Sequence, residues 1–194
     1  RRRDVKVPRP SWEDFLRSSF AANKPYDELV REILSNTGAD PKTRASAKFF
    51  LERDLEMTSV TRDISRLFLG KNLQCAQCHD HPLVDDYLQE HFYGIQAFFN
   101  RAFLFPTDKD ANAVIAEKAE GEVSFMSVFD TKKMQKSTPP KVLAWNAIND
   151  PKLEKGKEYT VPPAKNVKPV PAYSRLAKLA SAITANENIA FRRT

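Results

Sequence analysis

Both cysteines of this 194-residue chain fall within four positions, in the run Cys75-Ala76-Gln77-Cys78-His79. No thiol remains to tie distant segments together, so the fold must be held by packing. A chain of this length can bury a sizeable core. Hydrophobic residues make up 41% and charged residues 29%, a globular balance that excludes disordered and fibrous classes. No apolar run approaches the roughly 18 to 20 residues that cross a bilayer. Arg1-Arg2-Arg3-Asp4 has no apolar segment behind it, so no signal peptide is visible, and both ends read as cuts inside a longer protein.

The net charge is +6, and its location matters more than its size. Between Thr131 and Pro171 nine lysines stand against three acids, and seven of the thirteen prolines lie there too. The rest of the chain balances to zero. A basic, proline-rich, glycine-poor stretch reads as a solvated, extended connection. Neither arginine-rich helices nor an aromatic stacking platform accompanies it, so nucleic acid is not an expected partner. Docking of an acidic partner is the functional alternative for this stretch.

The first half has helical spacing. Ser11 precedes Trp12-Glu13-Asp14, an approximate capping box opening a helix to about Ala22. Pro25 starts a second helix through Leu29, Val30, Ile33 and Leu34. Asp40-Pro41 opens a third. Val60, Ile64, Leu67 and Phe68 mark a fourth, stopped at Gly70. Leu88, Phe92, Ile95 and Phe99 resume the period after the cysteines. Residues 113–117 and 122–129, around Glu120-Gly121, read as a β-hairpin. Ser174 caps a last helix through Leu176, Leu179, Ala180 and Ile183. The expected fold class is mostly α: a helical domain with a small hairpin and a long Lys/Pro-rich loop. The expected organisation is a helical domain over 1–130 that holds both cysteines, the connection over 131–172, and over 173–194 a C-terminal helix leading to a further domain.

Cys75-Ala76-Gln77-Cys78-His79 is the c-type haem attachment pattern. Two thiols three positions apart on a turn can add to the two vinyl groups on one haem edge, and the next imidazole can then ligate the iron. One covalent haem c is therefore the expected cofactor, with Cys75 and Cys78 attached and His79 as proximal ligand. Cys75, Cys78, His79 and His81 could instead hold zinc, although a structural finger places its second pair well downstream. A thioredoxin-like pair expects a βαβ setting, which the helical context does not supply. His81 is too near His79 to reach the opposite face of the iron, and its expected role is a hydrogen bond to backbone or to a haem propionate. Met134, near Pro139-Pro140, is the first candidate for a distal ligand and His91 the second, with an open position as the alternative. Phe92, Phe98, Phe99 and Leu73 are the expected apolar wall.

The run Ser65-Arg-Leu-Phe-Leu-Gly-Lys-Asn-Leu-Gln-Cys-Ala-Gln-Cys-His-Asp-His-Pro82 resembles the core motif of the planctomycete-type cytochrome c domain family. Asp85-Asp86-Tyr87, Phe92-Tyr93-Gly94 and Ala97-Phe98-Phe99 are similar to its next helix. Trp12 to Leu34, with Lys24-Pro25-Tyr26-Asp27, is also similar. So are Ser174 to Ala180 and Asn186 to Arg192, which in the family lead into a second domain. The resemblance is weakest from Arg101 to Pro171. It implies a haem-binding domain of a large exported protein, with Cys75 and Cys78 as attachment sites and His79 as iron ligand. His81 matches the family pattern, whereas His91 stands where an acidic residue is usual.

These expectations converge on one-electron transfer to a redox partner protein, alongside further domains of the same polypeptide, in a periplasmic or exported location. Two alternatives stand beside it: a redox enzyme domain with an open distal site, and a zinc-stapled structural or interaction module without haem.

Overall fold

A computed structural model of the chain describes residues 4–107 and 113–194. The helices form where apolar side chains recur on one face. Helix α1 spans Arg9–Ala21, α2 Tyr26–Ser35, α3 Lys48–Leu51, α4 Met57–Phe68, α5 Gln89–Gln96, α6 Arg175–Ile183 and α7 Ile189–Arg192. Helix α2 buries Leu29, Val30, Ile33 and Leu34, and α4 buries Val60, Ile64 and Phe68. Glu56 starts α4 by accepting from the Thr58 and Ser59 N–H groups at 3.0 and 2.7 Å. Gly70, at φ 60°, ends it. The closing turn is tied by the Lys71 N–H donating to the Ser65 carbonyl at 2.9 Å.

Two starts differ from the sequence expectation. Helix α1 begins two residues before Ser11, behind Pro8 and with Pro10 in its first turn, so Ser11 is not its cap. Asp40-Pro41 opens a turn in which the Asp40 carboxylate accepts from the Lys42 N–H at 2.9 Å. The chain turns helical only at a 3-10 turn, Arg44–Ala47, which runs into α3.

The core lies between α2, α4, α5 and α6. Phe50, Phe92, Phe98, Phe99, Leu34, Leu51, Leu73 and Ile64 are fully buried there. Helix α2 packs on α6 and α4 on α5. Leu176, Leu179, Ala180 and Ile183 belong to the same cluster as the apolar side chains of α2, so residues 173–194 share the core of the first half.

The expectation of a mostly α, helical cytochrome-like domain is corrected. Among the described residues the structure is 36% helix and 10% strand, in three small antiparallel sheets. Strand β1 (Ala102–Phe105) pairs with β2 (Val114–Glu117), from Ala102 opposite Glu117 to Phe105 opposite Val114. Residues 114–117 thus pair backwards with 102–105, not forwards with 122–129. The β-branched Val114 and Ile115 find an apolar partner in Phe103-Leu104-Phe105. Strand β3 (Ser124–Phe125) pairs with β4 (Lys136–Ser137), and β5 (Tyr159–Val161) with β6 (Val170–Pro171). The Lys/Pro-rich connection is therefore partly strand. Its strands stay short because each proline removes a ladder donor.

Candidate functional site

The cysteines sit on a short 3-10 turn, Cys75–Gln77, between α4 and α5. The Cys78 and His79 N–H groups both donate to the Cys75 carbonyl, at 3.2 and 3.4 Å. That closes the turn and sets the two thiols and the imidazole on one small loop. Both thiols are free and exposed. Ala76 points the other way, into the core, and anchors the turn.

The His79 imidazole is held at Nδ1, 2.6 Å from the Asp80 carbonyl oxygen. A carbonyl only accepts, so Nδ1 carries the proton and Nε2 keeps its lone pair. The Asp80 carboxylate in turn accepts the Gln89 N–H at 2.7 Å, the first donor of α5. One residue therefore orients the imidazole and fixes it to the following helix.

A second segment lies against the turn. The Val128 N–H donates to the Cys78 carbonyl at 2.9 Å, and the Phe129 ring packs on the His79 ring with centroids 4.8 Å apart. Val128 is 63% and Phe129 73% exposed, and Leu83, on the loop after His81, is 87% exposed. Val128 and Phe129 thus leave apolar surface in water beside the motif turn.

The other expected residues lie as follows. The His81 Nδ1 accepts from the Leu83 N–H at 3.1 Å, and its ring meets Tyr87 edge-on. Tyr87 in turn carries the Lys71 ammonium over its ring. His91 is buried on α5, where its Nδ1 meets the Asp86 carbonyl at 2.8 Å. Burial pushes its pKa down, with Lys141 adding to the shift against the pull of the Asp86 carbonyl. Met134 is exposed, its N–H donating to the Asp130 carboxylate. Phe92, Phe98, Phe99 and Leu73, the expected apolar wall, are all buried in the core. The apolar surface beside the thiols comes from Met126, Val128 and Phe129, from a segment that sequence reasoning placed in a hairpin. Nothing local marks Phe129 as a neighbour of His79, because 50 residues separate them.

Among the described residues no group of three or more His, Cys, Asp and Glu side chains is gathered as a metal would need. Cys75, Cys78, His79 and His81 thus share a loop without converging as a tetrahedral set. No helix among the described residues is long and apolar enough to cross a membrane.

The family model PSCyt2, described as a protein of unknown function (DUF1549), matches residues 2–103, more than half of the chain and all of the motif turn. No curated protein and no solved structure matches.

Proposed function

This chain belongs to the PSCyt2 family, and from its motif turn we propose that it carries one covalently attached haem c and serves one-electron transfer. The observation that carries the reading is the pairing of two free, exposed thiols with an exposed apolar segment, seated on the same turn by the bond from Val128 to Cys78. Cys75 and Cys78 would each add S–H across a vinyl group, sulfur bonding one carbon and hydrogen the other, with no change of oxidation state. His79 fits the ligand role because its Nδ1 proton is spent on Asp80, which leaves Nε2 as donor. Met126, Val128 and Phe129 would cover apolar area that water otherwise faces. Bound there, the haem would supply reversible transfer of one electron between ferric and ferrous iron. The reading carries its companions: a redox partner protein, further domains of the same polypeptide, and a periplasmic or exported location, since haem c is attached outside the cytoplasm.

A redox enzyme with an open distal position is the second reading. His91 is buried while the thiols are at the surface, and Met134 stands exposed further along the β3–β4 loop that carries Val128 and Phe129. The zinc module is disfavoured by ligands that do not converge.

The test is a visible spectrum of protein made with haem-attachment machinery, before and after dithionite. The expected result is a Soret band that survives denaturation and acid–acetone extraction, and is lost in a Cys75→Ser, Cys78→Ser double variant. Colourless protein with stoichiometric zinc overturns the reading. Carbon monoxide binding to the reduced protein selects the open-site form over the pure carrier.

A further inference from the structure

Gln89 opens α5 and is only 3% exposed. A buried carboxamide is tolerated when its donors are used. Its Nε2 donates to two carbonyls, Gln77 at 3.3 Å and Met126 at 3.1 Å. Gln77 lies between the two cysteines, and Met126 leads the apolar segment. One amide group therefore joins α5, the motif turn and that segment. Tyr93, one helical turn on, does the same by other means. Its hydroxyl donates to the same Gln77 carbonyl at 3.0 Å. Its ring lies flat on Phe125, centroids 4.5 Å apart and planes 4° from parallel. Beyond Phe125, Val128 bonds Cys78 and Phe129 covers His79.

We propose that Gln89 is a positioning residue that seats residues 125–129 as an apolar strap over the motif turn, and that this seating sets how much water reaches His79. The redox consequence rests on the haem reading above; the seating itself does not. Burial beside a ligand favours the less charged, reduced state of a bound iron, so an unseated strap lowers the midpoint potential.

The decisive variant is Gln89→Met, which keeps length and volume and removes both donors. In the apoprotein the Val128 amide should exchange on the order of tenfold faster, the loss expected for about one net hydrogen bond. Carbethoxylation of His79 by diethyl pyrocarbonate should accelerate, while His91, buried on the same helix, stays protected. Tyr93→Phe keeps the ring stack and removes one donor, so it should move both rates the same way by less. Phe129→Ala, at an exposed position that the fold does not need, should speed His79 modification while Val128 stays protected. Unchanged His79 reactivity in Gln89→Met overturns the proposal, as does a general loosening that exposes His91 as much as His79. In haem-loaded protein the Gln89→Met potential should fall below wild type, and an equal or higher potential overturns the redox half. Wild-type protein that takes up no haem removes that half together with the reading it rests on, and the apoprotein rates still decide the seating.

Discussion

Around Phe50, Phe98 and Phe99 the helices bury ring against ring, whereas around Arg101 and Arg175 the strands and the Lys/Pro-rich segment meet through charge. Phe49 and Phe50 cross edge-on at 5.2 Å, and Phe49 meets Phe68 at 5.4 Å. At the other end both arginine side chains are 5% exposed, and both reach the same two carboxylates. Arg101 Nη2 lies 2.8 Å from Glu122 and 2.6 Å from Asp150. Arg175 grips Asp150 through Nε at 2.9 Å and Glu122 through two nitrogens at 2.8 and 3.0 Å. Glu117 adds a third acid, accepting the Arg175 and Leu176 N–H groups at 2.8 and 3.2 Å and so capping α6 from outside its own sequence. Apolar burial is non-directional and is not screened by salt, while an ion network depends on geometry and is screened at its exposed edge. A region too rich in lysine and proline to bury much apolar surface is held by the second means.

The contrast can be broken where each force is strongest. Phe50→Ala should cost about 3–5 kcal/mol in urea denaturation, with the same loss in low and high salt. Arg175→Met should cost about 2 kcal/mol, because it strips charged hydrogen bonds from Asp150 and Glu122. That loss should shrink in 1 M salt, since Glu122 is more than half exposed. Equal salt responses of the two variants would erase the distinction.

The seam between the regions is Gly94, where segment 139–148 presses on α5. A Cβ there would lie 2.5 Å from the Lys141 Cγ and 3.1 Å from the Lys141 carbonyl oxygen. Alanine ordinarily stabilises a helix interior, but here the overlap should reverse the sign, at about 1 kcal/mol of destabilisation. Hydrogen exchange should report it first at the Lys141 amide, which donates to the Gly94 carbonyl.

The smallest effect separates the acids within the network. Burial pushes the Asp150 carboxyl up, but hydrogen bonds from Arg175 and Arg101, and their charges, hold it below its ordinary 3.8. A depressed folded value gives stability that is present above 3.8 and lost as pH falls through the lower folded value. Asp150→Asn should therefore flatten the acid limb of a stability–pH curve. Glu117 runs the other way. Burial raises it above 4.5 against hydrogen bonds from Ser174, Leu176 and Arg175. The unfolded state then ionises first, and a cost sets in as pH rises through 4.5. Glu117→Gln should compare better with wild type at pH 7 than at pH 4; the reverse order would mean that the charge itself is what caps α6.

Local signals carried the helical half. The spacing of Leu29, Val30, Ile33 and Leu34, the stop at Gly70 and the cap at Ser174 all appear where the sequence placed them, because each acts within a turn or two of itself. Ser11 misled because Pro8 and Pro10 start α1 earlier. The pairing of 114–117 with 102–105 was not legible, since a strand's alternation shows its face and not its partner. At the motif, the adjacency of Cys75, Cys78 and His79 was written in the chain. Phe129 on His79 and Gln89 between two carbonyls were not.

By itself the sequence determined that no disulfide could join distant parts of these 194 residues, that the thiols and an imidazole would share one turn, and that positive charge would gather in a proline-rich stretch. Spacing along a chain is a covalent fact, and it survives any fold. Only the tertiary structure decided which aromatics are core and which are left at the surface beside the thiols. It also decided that the basic stretch would be tied down by two buried arginines and an aspartate. Burial is a competition among all apolar surfaces at once, and Phe92, Phe98 and Phe99 won places that left the motif to residues 126–129.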